Sequence, residues 1–98
     1  MMLLTKAIKK ALPKLYSQEN IKDPTAIVKF FDPTGSFTWF ATEFDGEDIF
    51  FGKVFSSHCP EGELGNFSLS ELQSVRCRFG LGIERDKWFT PKPLSQCS

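Results

Sequence analysis

His58 and Cys59 stand side by side, and an imidazole with a thiol is the pair from which a nucleophile and its base could be made. His58 is the single histidine of the chain. Nucleophile and base ordinarily meet through space from different segments, so adjacency in sequence is no sign of a dyad, and a solvated loop is the expected place for both. Glu43, Asp45, Glu47 and Asp48 form a second cluster whose oxygens could hold a hard cation. The twelve-residue calcium-loop spacing is absent, and Asp45-Gly46 has the chemistry of a two-residue hairpin turn, so these acids are expected around a solvated turn. Cys59, Cys77 and Cys97 are odd in number and contain no C-x-x-C pair, which argues against a disulfide scaffold and a zinc knuckle. No phosphate loop, dinucleotide fingerprint or zinc-protease pattern occurs, so no catalytic residue, cofactor or metal is expected. Phe50 to Phe55 resembles, over one strand, the aromatic RNA-binding strand of the RRM module, and a buried sheet strand explains those rings at least as well.

The elements that position these residues follow from periodicity. Leu4, Ile8, Leu12 and Leu15 recur at helical spacing with Lys6, Lys10 and Lys14 on the other side, which predicts an amphipathic helix from residue 5 that stops or kinks near Leu12, ahead of Pro13. Ser17 to Asp23 reads as a polar loop. Ala26 to Phe31, Phe37 to Phe44 and Ile49 to Phe55 are dense in β-branched and aromatic residues and are joined by turn chemistry at Asp32-Pro33-Thr34-Gly35 and Asp45-Gly46. Three short runs in succession make an antiparallel meander. Residues 56 to 65 lack periodicity and read as a surface loop. Ser68-Leu69-Ser70-Glu71 fits a capping box for a short second helix, with Leu69, Leu72 and Val75 as its apolar stripe. Ile83 to Phe89 can add a fourth strand at an edge, and Pro91 and Pro93 keep the tail from pairing centrally.

Both faces of the meander are apolar. Alternation sets Phe37, Trp39 and Ala41 against Thr38, Phe40, Thr42 and Phe44, and sets Ile49, Phe51 and Phe55 against Phe50 and Val54. One helix cannot cover two faces, so either the C-terminal third packs on the second face or that face binds a partner. Phe30, Trp39, Phe51, Leu69 and Leu72 are expected to be largely buried.

With 98 residues the chain is a single domain, residues 1–98, and its 41% hydrophobic and 24% charged content excludes bulk disorder. Eleven phenylalanines are a large excess, fit for a core or for a contact surface. Twelve cations balance twelve anions, so total charge gives no reason to expect nucleic acid as partner. The distribution is uneven, with a net of +4 over residues 1–22, −6 over 43–71 and +3 over 76–98. The start, Met1 to Lys6, has no apolar signal region and no stretch long enough to span a membrane, so retention in a reducing cytosol is expected. In that compartment the match of Asn66-Phe67-Ser68 to a glycosylation sequon is accidental.

The order Leu3-Leu4-Thr5, Leu12-Pro13-x-Leu15-Tyr16-Ser17, Val28-Lys29-Phe30-Phe31, Thr38-Trp39, Glu47-Asp48-x-Phe50-Phe51-Gly52, Phe67-Ser68-Leu69-Ser70-Glu71-Leu72 and Gly80-Leu81-x-Ile83-Glu84-Arg85-Asp86 resembles the bacterial domain-of-unknown-function family 2958, in register over nearly the whole chain. The departures lie at His58-Cys59-Pro60 and Arg76-Cys77-Arg78-Phe79. Members of that family are small proteins often carried on plasmids and other mobile elements. The resemblance therefore implies a cytoplasmic bacterial protein and brings no activity with it.

The expected fold is α+β: an N-terminal helix, a three-stranded antiparallel meander, a short second helix and a fourth edge strand. The expected function is a non-enzymatic module that binds an unidentified protein partner and no membrane, through a surface containing Lys6, Lys10, Lys14, Phe40, Phe44, Arg76, Arg78 and Arg85. The alternative is a nucleic-acid-binding accessory protein. A small enzyme using the acidic hairpin or His58 comes third.

Overall fold

Thr5 opens the first helix, α1 (Lys6–Ala11), by accepting the Ile8 amide on its hydroxyl at 3.1 Å. The helix ends where the sequence requires: Leu12, the residue before Pro13, takes an extended backbone (φ −74°, ψ 124°). The freed Pro13 carbonyl accepts the Phe44 amide at 2.9 Å, which moors the end of α1 to the sheet. The computed structural model describes residues 2–76 and 80–97.

Among the described residues seven strands follow: β1 (Thr25–Ala26), β2 (Val28–Phe31), β3 (Thr38–Phe44), β4 (Ile49–Ser56), β5 (Cys59–Ser68), β6 (Glu84–Arg85) and β7 (Lys92–Pro93). A second helix, α2 (Leu69–Ser74), follows β5 directly. β2, β3 and β4 form the expected meander, with Asp32 Oδ1 taking the Thr34 amide in the first turn and Gly46 at φ 92° in the second. The sheet is wider than the meander. Its order is β5-β4-β3-β2-β6, antiparallel throughout, while β1 and β7 make a separate two-stranded ribbon. Residues 59–65 are therefore strand and not loop: the tight Ser57-His58 turn folds them back onto β4, whose backbone supplies the pairing that Pro60, Gly62 and Gly65 disfavour intrinsically. The expected fourth strand shrinks to Glu84–Arg85 at the sheet edge, and the tail stays out of the central sheet as expected, Pro93 pairing only in the separate ribbon where a missing amide costs little.

One face of the sheet carries the main core. Val28, Phe30, Ala41, Phe44, Phe50 and Phe67 pack there under Leu3, Ile8 and Leu12 from the N-terminal segment and Leu72 from α2. Phenylalanine fills this space as a stack across three strands, with Phe50 centred 4.5 Å from Phe44 and 5.3 Å from Phe67. Strict alternation would put Phe44 on the opposite face beside Phe40. A β-bulge between Ala41 and Glu43 inserts one residue, so the alternation slips and Phe44 joins Ala41. Of the five residues expected to be largely buried, Phe30 and Leu72 are, while Trp39, Phe51 and Leu69 are half-buried. α2 is docked through Asp48, whose carbonyl takes the Leu69 amide and whose carboxylate takes the Ser70 amide at 2.8 Å and hydroxyl at 3.0 Å. Ser68 caps the helix as expected, accepting the Glu71 amide at 2.9 Å.

Candidate binding cleft on the second sheet face

The second face is half covered and half open. Over its inner half the C-terminal segment lays Leu94 and Cys97 on Ala26 and Phe40, with Phe55 and Phe89 alongside. That cover is fastened by Asp23, whose carboxylate accepts the Ser95 amide at 3.1 Å and hydroxyl at 2.6 Å, and by the Leu94 amide on the Pro24 carbonyl at 2.9 Å. The Ser95 hydroxyl and amide hold the Asp23 carboxyl below its ordinary value, and burial pushes the Cys97 thiol up.

Over the outer half lies a cleft of about 740 Å³. Its floor is Thr42, Glu43, Phe51 and Lys53; the segment from Tyr16 to Pro24 makes one wall, and Leu64 and Leu94 bound it elsewhere. Tyr16, Ile21 and Leu64 are all exposed at its rim, so apolar surface faces water around a half-buried ring. The wall is built by Glu43. This side chain is only 2% exposed, and its Oε1 and Oε2 accept the backbone amides of Tyr16 and Gln18 at 2.6 and 2.8 Å. The reward of those charge-assisted bonds holds Tyr16 at φ 67°, a conformation that non-glycine residues rarely adopt. With both oxygens engaged, Glu43 is a structural acceptor. Lys53, half-buried with its ammonium 5.5 Å from the Phe55 ring, is the cation of the floor. Such a cleft can take an apolar group and pair a neighbouring negative charge with Lys53.

His58 is exposed in the Ser57-His58 turn, and Cys59 begins β5 with its amide on Ser56 Oγ at 3.2 Å. Neither lines the cleft. The four acids of the hairpin separate. Glu43 turns to the second face, Asp48 caps α2, and one oxygen of Asp45 accepts the amides of Glu47, Asp48 and Ile49 at 2.8, 2.8 and 3.0 Å, which lowers its carboxyl from the ordinary value. Among the described residues no three His, Cys, Asp or Glu side chains gather as a metal site would need. In the RRM-like run, Phe50 is interior and Phe55 packs edge-on to Phe40 at 5.6 Å, which leaves Phe51 as the ring that reaches the cleft.

The surface expected from the sequence does not form one patch. Phe40 and Phe44 are corrected to core residues, at 1% and 4% exposure, the first under the C-terminal cover and the second through the bulge. Lys6, Lys10 and Lys14 do come together, lining with Lys9 a groove of about 510 Å³. Arg76 instead caps the end of α2, donating to the Gln73 and Val75 carbonyls at 2.8 and 2.9 Å. Arg85 is half-buried in β6 and donates to the Met2 carbonyl; Arg78 lies outside the described residues. Sequence reasoning misses Tyr16, Ile21 and Leu64. The available signal is an isolated isoleucine inside the polar run from Ser17 to Asp23.

Among the described residues no helix is long and apolar enough to cross a membrane. No curated protein and no solved structure matches the chain. A family model described as "Protein of unknown function (DUF2958)" matches residues 3–97.

Proposed function

We propose, of a chain that belongs to the DUF2958 family over residues 3–97, that it is a non-enzymatic protein-interaction module whose binding site is the cleft on the second sheet face. One observation carries this. The C-terminal segment stops short of covering the face, and leaves Ile21, Leu64 and Phe51 around a concavity whose floor carries Lys53 and whose wall carries Lys22, Glu19 and Asp23. A partner segment that inserts an apolar side chain beside Phe51 and sets a carboxylate toward Lys53 satisfies that chemistry. Engagement of both Glu43 oxygens by backbone amides, and the dispersal of His58 and the hairpin acids, favour binding over catalysis. The module acts in a bacterial cytoplasm and is linked to a mobile genetic element, as the family resemblance implies.

Panning a random-peptide display library against the folded protein tests it. Enriched peptides should combine an apolar residue with a nearby acid, and Ile21→Glu or Leu64→Glu should abolish their capture without changing the circular-dichroism spectrum. No enrichment, or enriched peptides indifferent to both substitutions, would overturn the assignment.

A further inference from the structure

Trp88 is 92% exposed, whereas the next most exposed aromatic among the described residues, Tyr16, is at 59%. Its backbone is anchored. The Trp88 amide donates to Asp86 Oδ1 at 2.9 Å, the Asp86 amide donates to the Lys29 carbonyl at 3.0 Å, and the Asp86 carboxylate faces the Lys29 ammonium at 3.8 Å. On the other side Phe89 is anchored against Phe40, with ring centroids 5.7 Å apart. The turn thus anchors, on both flanks, the backbone that presents this ring to water.

The same turn is one wall of a cleft of about 450 Å³ whose other wall is α1: Arg85, Lys87 and Phe89 stand across from Thr5, Ala7 and Ala11. The opposite side of α1 borders the groove of Lys6, Lys9, Lys10 and Lys14. Among the described residues none of these five lysines makes an ion pair. Of the acids on this flank, Asp86 is engaged by Lys29 and the Trp88 amide and Asp45 by three backbone amides; Glu84 of β6 and Glu47 of the β3–β4 turn also lie here, and Lys6, Lys9, Lys10, Lys14, Lys87 and Arg85 outnumber them. Glu61 and Glu63 sit on β5, the strand at the far edge of the sheet from β6. The lysine groove borders Phe44, Asp45 and Gly46 at the β3–β4 turn, whereas Glu63 pairs with Val54, four residues along β4 from Phe50, the partner of Phe44, a separation of roughly 13 Å at about 3.3 Å per residue and more than one Debye length in physiological salt. Their repulsion on the lysine groove is largely screened.

We propose that this flank binds single-stranded nucleic acid, with the α1 lysines and Lys87 tracking phosphates and Trp88 stacking on a base. Cations alone would fit any polyanion. A bare ring on an anchored turn, across α1 from the lysine groove and next to Lys87, adds what an unpaired base requires, and a duplex keeps its base faces hidden. A single ring 92% exposed suits stacking better than insertion into a lipid surface, which needs a broad apolar face. The site is independent of the cleft on the second face.

A short oligodeoxythymidylate titrated at about 50 and 200 mM salt tests the assignment, because a surface that neutralises several phosphates binds orders of magnitude more weakly at the upper end of that range. We expect binding at the lower salt that quenches tryptophan emission, weakens more than about tenfold at the higher salt, and falls about tenfold or more in Trp88→Ala and in Lys6→Glu/Lys10→Glu. All three residues are exposed, so the variants should keep the native circular-dichroism spectrum. Ile21→Glu should bind the oligonucleotide as the parent does. The proposal is overturned by absence of binding, by affinity that survives Trp88→Ala, by tighter binding of a duplex of equal length, or by equal binding of polyglutamate or phosphatidylserine vesicles through the same residues.

Discussion

Glu43 shows how one side chain can decide the shape of a site. Its carboxylate is the acceptor for two backbone amides of the segment that walls the cleft. Removing it strands both amides, and Glu43→Ala should cost about 1 to 3 kcal/mol for each donor left without its acceptor. Glu43→Gln keeps one acceptor and should cost less than half of that in urea unfolding. Asp45 gives the pH dependence. Its folded pKa lies below the unfolded value because its carboxylate accepts the Glu47, Asp48 and Ile49 amides, so its contribution is present above the unfolded carboxylate pKa and is lost as pH falls through the folded one. Stability measured from pH 6 downward should therefore decline less steeply in Asp45→Asn than in the parent. The turn role of Asp45 was legible from the Asp-Gly pair. The burial of Glu43 was not, because a bulge, which no local pattern announces, decides which face it meets.

At the scale of elements, the short helices were legible because their stops are written in local chemistry, Pro13 for α1 and Ser68 for α2. Ser68→Ala should lower stability by about 1 kcal/mol through the missing cap, read from the urea midpoint. β5 was hidden because its pairing energy resides in β4 and not in its own glycine- and proline-bearing sequence. The contact between β3 and β4 rests on Gly52: a Cβ there would lie 1.8 Å from the Phe40 carbonyl oxygen, and backbone cannot step aside as a side chain would. Gly52→Ala should cost at least about 3 kcal/mol, the upper end of overpacking, and disperse fewer amide resonances in a heteronuclear NMR spectrum.

For the molecule as a whole, the phenylalanine excess is explained by a core that stacks rings across β3, β4 and β5. Phe50→Ala should remove about 3 to 5 kcal/mol, enough to unfold a domain of ordinary stability, while Phe51→Ala, at the half-buried floor of the cleft, should cost clearly less. Comparison of the two melting curves separates core from floor. Charge segregation was visible in the sequence as three blocks. Their placement was not, since it depends on the pairing order that puts β5 and β6 on opposite edges.

The ribbon of β1 and β7 joins Thr25 to Pro93, positions far apart along the chain, and so is a closure of very high sequence separation. Such a contact recovers its loop-closure entropy only after the meander has formed, which makes it a late event in folding. The cover over Phe40 is then absent from the rate-limiting barrier and present in the native state. Leu94→Ala should accelerate unfolding while leaving the refolding rate nearly unchanged in a chevron plot. The C-terminal clasp on this account governs how long the native state persists rather than how fast it is reached.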